Sequence, residues 1–463
     1  MFKRELYIER RERLKKSVEE GLLLFLGNND VGMNYPSNSY RFRQDSTFLY
    51  LFGLDMPNLA AAIDCSTGEE LLFGNDVSID DIIWMGPQIP MKERGERVGV
   101  ERVLPLDKLE NYLANYIKRG VRVHYLPPYR LATTIKLSKM LSLDIAKVAN
   151  SFSVELIKAV VALREIKDSY ELEEIEKGVD IAYKMHMAAT KAASLGMVEQ
   201  ELAGLMEGIA ITYGYMPSFP IILSQNGETL HNNSHHQLLS EGRLLVIDAG
   251  AETNMHYASD LTRTLPSSGT FTPIQKDIYT IVSNANQKAI ELIRPSIPYR
   301  DIHLAASQVL ARGLVDLGIM KGNPTEAVAA GAHALFMPHG LGHQMGLDVH
   351  DMEDFGEDFV GYSDTFHRAT QFGLKSLRMG KELKVGHVIT VEPGCYFIPA
   401  LIEKWRGENL HSEFINYSAL PSLYSFGGIR LEDDVVVTAE GCRILGSQRL
   451  PITPSAVEEA MAK

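Results

Sequence analysis

Leu244-Leu245-Val246-Ile247-Asp248-Ala249-Gly250 is an unbroken apolar run that closes on an acid and a glycine. A short run of this kind, without polar alternation, reads as a strand buried on both faces. Asp260 follows twelve residues after Asp248, within Tyr257-Ala258-Ser259-Asp260-Leu261-Thr262-Arg263. Joined as a hairpin with its turn around Thr253–Met255, the two segments place Asp248 directly opposite Asp260, with Cβ atoms about 4.5–5.5 Å apart. Carboxylates that close repel each other unless a proton or a cation lies between them. A pair of metal ions, typically about 3.5–4 Å apart, is a natural resident. Alone, either aspartate reads equally well as a strand-end or surface acid, so the rest of the chain has to decide.

Two later segments repeat the pattern. Val388-Ile389-Thr390-Val391-Glu392-Pro393-Gly394 and Gly428-Ile429-Arg430-Leu431-Glu432-Asp433-Asp434 are apolar strands, each with a glutamate where a core residue is expected. A buried carboxylate without a partner is costly, and a buried cation accounts for both. Glu392 taken singly is equally a residue that ends a strand before Pro-Gly. Arg430 and Glu432 are two apart in a strand and face the same side. Between these segments lies His339-Gly340-Leu341-Gly342-His343-Gln344-Met345-Gly346-Leu347-Asp348-Val349-His350-Asp351. Its glycines indicate a tightly turning loop, and its spacing is not that of a His-Glu-x-x-His helix. Neutral imidazole serves as a metal ligand or as a proton donor near neutral pH. Any one of the three histidines also reads as an ordinary hydrogen-bonding loop residue; together they ask for a common cause.

The chain has 463 residues and 45% apolar content, enough for two or three domains at roughly 150 residues each. A net charge of -13 argues against a phosphate-neutralising surface, so no nucleic-acid partner is expected. Three cysteines, Cys65, Cys395 and Cys442, are too few for a disulfide framework and fit a reducing compartment. No stretch approaches the ~20 apolar residues of a membrane span, and the first apolar run, Leu22–Leu26, is too short for a secretion signal. A cytoplasmic α/β protein without a membrane partner is the expectation.

Residues 1–155 read as a small α/β domain with strand-like runs at Leu22–Leu26, Thr47–Phe52, Leu59–Ile63, Leu71–Phe73 and Val121–Leu126. A linker is expected over 156–170, and a second domain over 171–463. Asp168 with Glu171 forms a helix-starting box ahead of Leu172, Ile175, Val179 and Ala182. A second helix covers Glu201 to Ile211. Thr272-Pro273-Ile274-Gln275 starts another helix, with Thr as cap and Pro at the first helical position. A further helix follows Asp301.

Asp, Asp, His, Glu, Glu in this order, each in its own setting, resembles the pita-bread metallopeptidases, the aminopeptidase P and prolidase family. The matching motifs are Ile247-Asp248-Ala249-Gly250, Ser259-Asp260-Leu261-Thr262-Arg263, His339-Gly340-Leu341-Gly342-His343, Gly346-Leu347-Asp348-Val349-His350-Asp351, Val391-Glu392-Pro393-Gly394 and Ile429-Arg430-Leu431-Glu432-Asp433-Asp434. Arg43-Gln44-Asp45-Ser46-Thr47-Phe48-Leu49-Tyr50-Leu51-Phe52-Gly53 extends the likeness into the first domain, which looks like that of aminopeptidase P.

The resemblance implies an N-terminal creatinase/aminopeptidase P-like α/β domain and a C-terminal catalytic pita-bread domain. It implies two divalent metal ions, most often manganese, on Asp248, Asp260, His343, Glu392 and Glu432. Glu392 would serve as general base, His231 would stabilise the reacting carbonyl, and His350 would contact the scissile carbonyl or the proline. His339 and Arg430 would orient the ligands from behind. The implied reaction removes the N-terminal residue from peptides with proline second, and the implied assembly is a homodimer. A prolidase-type Xaa-Pro dipeptidase is the nearest alternative, and a pita-bread binding module without catalysis is a third. The sequence Asn232-Asn233-Ser234-His235-His236 departs from the small loop usual after the pocket histidine. Cys395 reads as a small apolar filler, and His256, His303 and His333 have no matching context.

Overall fold

The computed structural model describes residues 1–462. The chain forms two compact units: residues 1–164 with 354–359, and residues 165–353 with those from 360 onward.

The first unit is built on a five-stranded sheet in the order β4-β3-β2-β1-β5, comprising β1 (Leu22–Leu26), β2 (Ala60–Asp64), β3 (Glu70–Phe73), β4 (Arg102–Leu104) and β5 (Val123–His124). β1 pairs antiparallel with β2 and parallel with β5. The sheet explains the short all-apolar runs, since Leu22, Leu24, Ala62, Leu71 and Phe73 join one buried cluster. The expected strand at Thr47–Phe52 is instead a helix, Ser46–Phe52. Asp45 caps it by accepting from Phe48 N at 2.8 Å, and Gly53 at φ 61° ends it in the left-handed region. All its residues are buried, so no polar face existed to reveal the helical period.

The second unit surrounds short sheets with long helices, Ser169–Ala192, Glu199–Tyr213, Pro273–Leu292 and Tyr299–Asp316. Asp168 with Glu171 and Thr272 with Gln275 both close the reciprocal capping boxes read from sequence. The last of these helices starts two residues before Asp301, at Tyr299, whose ring is fully buried. The remaining strands are β6 (Met216–Pro217), β7 (Ile222–Ser224), β8 (Leu244–Ala249), β9 (Ala251–Glu252), β10 (Leu261–Pro266), β11 (Val388–Val391), β12 (Gly394–Tyr396), β13 (Gly428–Arg430), β14 (Asp433–Val437) and β15 (Cys442–Ile444). They assemble as β10-β8-β7, β11-β14-β15, β12-β13 and β6-β9. Single bridges, Thr262 to Glu432 and Gln344 to Ile389, stitch these pieces together.

The β8–β10 register differs from the expected one by two residues. Asp248 stands opposite Thr262, not Asp260. The turn closes later than expected, through Thr253 N to Tyr257 O and His256 N to Thr253 O, with His256 in the left-handed region at φ 66°. At Gly250 the two chains come so close that a Cβ would sit 1.6 Å from Ser259 O. Only glycine permits that approach. Asp248 and Asp260 therefore share a face as diagonal neighbours, about 7–8 Å apart at the backbone, and converge through their side chains. Among the described residues no helix is long and apolar enough to cross a membrane.

Candidate metal centre

Asp248, Asp260, His343, Glu392 and Glu432, with His231, His339, His350 and Arg430, all line one cavity of about 330 Å³ in the second unit. Asp248 comes from the end of β8 and Asp260 from the approach to β10, while Glu392 directly follows β11 and Glu432 lies between β13 and β14. His231, His339, His343 and His350 come from loops. Asp260, His343 and Glu432 offer ligand atoms that all lie within 4.8 Å of one another. His343 Nε2 is 3.5 Å from Asp260 Oδ2 and 3.9 Å from Glu392 Oε1.

The imidazole is aimed by its other nitrogen, since His343 Nδ1 bonds to Gln344 O at 3.0 Å. Burial, with His350 beside it, lowers the His343 pKa well below the ordinary value, so the ring is neutral and its Nε2 lone pair faces the acids. Burial and then the neighbouring carboxylates raise Asp260 and Glu432 well above the usual range. Glu392 is raised to about 8, first by burial, with Arg430 acting in the opposite direction. Asp248 Oδ1 and Asp260 Oδ1 are buried without a hydrogen-bond partner. Four crowded carboxylates, two unpartnered oxygens and one neutral nitrogen make a hard, anionic donor set that fits divalent cations.

Behind these groups runs a network of neutral and cationic donors. Arg430 donates through Nη2 to Asp248 Oδ2 at 2.6 Å and through Nη1 to the Tyr396 hydroxyl at 3.0 Å. His339 Nε2 lies 2.9 Å from the same hydroxyl, and His339 Nδ1 is 3.8 Å from Glu392 Oε2. Burial holds His339 at about 4, hence neutral. The His350 ring is 4.1 Å from that of His343, centroid to centroid. His231 is exposed and lines the same cavity.

Four groups here were not found from sequence. Thr262 donates its hydroxyl to Glu432 Oε2 at 2.7 Å. Asp434 accepts from Asp260 N at 2.9 Å, and its other oxygen is buried and unpartnered. Tyr396 joins His339 to Arg430, and Arg378 brings a guanidinium into the cavity wall. Thr262 and Asp434 sit inside motifs quoted above and had a signal: each is polar in a strand that is otherwise buried. Tyr396 and Arg378 had none, because their neighbours in the cavity come from distant parts of the chain.

The family model for metallopeptidase family M24 matches residues 173–439, and that for the aminopeptidase P N-terminal domain matches residues 7–124. A Xaa-Pro dipeptidase of Homo sapiens is 31% identical over 468 aligned residues, covering 97% of this chain and 91% of its own. A probable Xaa-Pro aminopeptidase of Fusarium vanettenii is 32% identical, with 86% and 83% covered. Among solved structures, proline aminopeptidase P II from Yersinia pestis superposes with a TM-score of 0.82 at 27% identity, covering 99% of each chain. Aminopeptidase P from Escherichia coli with the inhibitor Pro-Leu gives 0.81 at 27% identity, covering 99% of this chain and 98% of the other.

Proposed function

The chain belongs to metallopeptidase family M24, and from that premise we propose that it is a metal-dependent peptidase which cleaves the bond before proline and releases the N-terminal residue. The observation that carries this reading is the convergence of Asp248, Asp260, His343, Glu392 and Glu432 on one cavity, against the apolar wall of Phe219, Pro220 and Ile222. Those five side chains would hold two divalent ions, with manganese the ion that hard oxygen donors and a single imidazole suit. When bound, such ions polarise a carbonyl and acidify a water.

The protein's own groups do the rest. Glu392 keeps 20% of its side chain accessible and is the acid set apart for proton traffic. It takes the proton of the attacking water and delivers it to the proline nitrogen as that nitrogen leaves. An amide nitrogen leaves only once it is protonated, so this delivery is indispensable. His231 donates toward the oxygen on which charge develops, and His350 holds the carbonyl or proline side. Arg430 and His339, joined through Tyr396, keep Asp248 and Glu392 in place.

A homodimer in the cytoplasm completes the reading. Free Cys65, Cys395 and Cys442 accord with a reducing compartment. The helix Ile79–Met85 leaves Ile79, Ile83, Trp84 and Met85 at least 62% exposed, an apolar face of the kind that pairing covers.

One observation favours the dipeptidase alternative. Arg378 places a cation at the cavity wall beside His350, and a dipeptide presents its free carboxylate next to the scissile bond. Hydrolysis of Xaa-Pro and Xaa-Pro-Xaa peptides after metal removal, with and without manganese, tests both readings. Metal-dependent cleavage of the longer peptide is expected. Cleavage of dipeptides alone moves the assignment to a dipeptidase, and cleavage of neither overturns the proline specificity.

A further inference from the structure

Resting on the activity proposed above, we infer that Glu353 sets the peptide length this site accepts, by occupying the imidazole–guanidinium fork that would otherwise receive a dipeptide's carboxylate. The fork consists of His350 and Arg378, both on the cavity wall. Glu353 Oε2 is 2.5 Å from His350 Nδ1, and Glu353 Oε1 pairs with Arg378 Nη1. The backbone enforces the first contact. Glu353 N bonds to His350 O at 3.3 Å, closing a turn that brings these two residues, three apart, onto one side.

All three side chains remain about one-third exposed, so the arrangement is open to a ligand and is not a core ion pair. Its position fixes what it meets. The His350 ring is 4.1 Å from that of His343, whose Nε2 faces Asp260. The fork is thus one imidazole from the reaction centre, where the proline leaving group and whatever follows it must lie.

The consequence follows from charge. If proline ends the peptide, its carboxylate meets a fork already neutralised by Glu353 and is repelled by that like charge. If the chain continues, a neutral amide carbonyl stands there and meets no such repulsion. Selection thus comes from a repulsive element aimed at one competitor. A fork lacking this acid would welcome dipeptides; this one is biased toward longer peptides.

The test compares Gly-Pro with Gly-Pro amide, which differ only in that carboxylate. Binding to the full-length, metal-stripped protein is measured by calorimetry, and kcat/KM is measured after manganese is restored. Glu353→Gln is expected to tighten Gly-Pro about tenfold and to leave the amide within about twofold. Adding Arg378→Met to that variant is expected to erase the gain. Glu353→Ala gives the same contrast should the glutamine variant fail to accumulate. Equal shifts for both peptides, weaker Gly-Pro binding, or no binding to any form overturn the inference. An effect through His350 positioning would move both peptides together and is thereby separated. Selective tightening without cleavage of any peptide would sink the proposed activity and leave the role of Glu353 standing.

Discussion

The Thr262 hydroxyl donates to Glu432 Oε2 at 2.7 Å, from a residue that faces Asp248 across the β8–β10 ladder. The residue opposite one acid in the ladder thus bonds another. Replacing it with valine keeps the shape and removes the donor, leaving Glu432 free to rotate. Thr262→Val is expected to weaken manganese binding about 10–100-fold, the usual effect of losing a group that orients a ligand. Calorimetric titration with manganese checks it; unchanged affinity would show that the hydroxyl serves packing alone.

Stripping metal should leave the protein less stable. Asp260 and Glu432 are buried with raised pKa values, so the folded chain holds uncompensated acid at its centre. Manganese at a hundred times its Kd is expected to add about 2.7 kcal/mol, read as a rise in Tm. Asp260→Asn is expected to lose most of that response while raising the Tm of the stripped protein, because one repelling carboxylate is gone. Thermal scans after chelation, with and without manganese, decide it.

Lys167 and Asp351 form an ion pair of 2.7 Å with both side chains 1% exposed. It anchors the residue next to His350. Lys167→Met strands a buried carboxylate without that cation and is expected to destabilise by about 3–5 kcal/mol, whereas Lys167→Met with Asp351→Leu recovers most of the loss. Denaturant unfolding of the three proteins measures it. A double variant no better than the single one would refute the charge argument.

Acid stability should depend on Glu165. Burial alone pushes its carboxyl up, but His387 at 3.7 Å and the ion pairs with Lys381 and Lys384 outweigh this and hold it below the usual carboxylate range. A depressed folded pKa means that the stabilisation is present above the unfolded value of about 4.3 and is lost as pH falls through and below it. Lys384 is 58% exposed and screened, so the buried Lys381 carries most of the effect. Glu165→Gln is expected to lower stability at pH 7 and to flatten its decline between about pH 5 and 2. A parallel decline in both proteins would exclude Glu165 as the acid-sensitive group.

Much of the second unit was legible because its signals are local. The capping boxes at Asp168 and Thr272 need only four consecutive residues, and they start helices where read. The runs at 244–249 and 388–391 are buried along their whole length, so an acid at their ends stood out. Local signals failed where burial was total and the element short. Thr47–Phe52 looks like a buried strand, and the cap at Asp45 and the stop at Gly53 make it a helix.

By itself the sequence determined which side chains to look for at one cavity: Asp248, Asp260, His343, Glu392 and Glu432 are acids and an imidazole in apolar settings, and that mismatch is written in neighbouring residues. The tertiary structure alone decided how they face one another. Register depended on a close approach at Gly250 and a left-handed residue at His256, which moved Thr262 opposite Asp248. Thr262 reaches Glu432 across 170 residues of chain, and Arg430 reaches Asp248 across 182. Pairings at that separation leave no periodicity in the sequence, because packing of whole strands and loops, and not local backbone preference, brings the atoms within bonding distance.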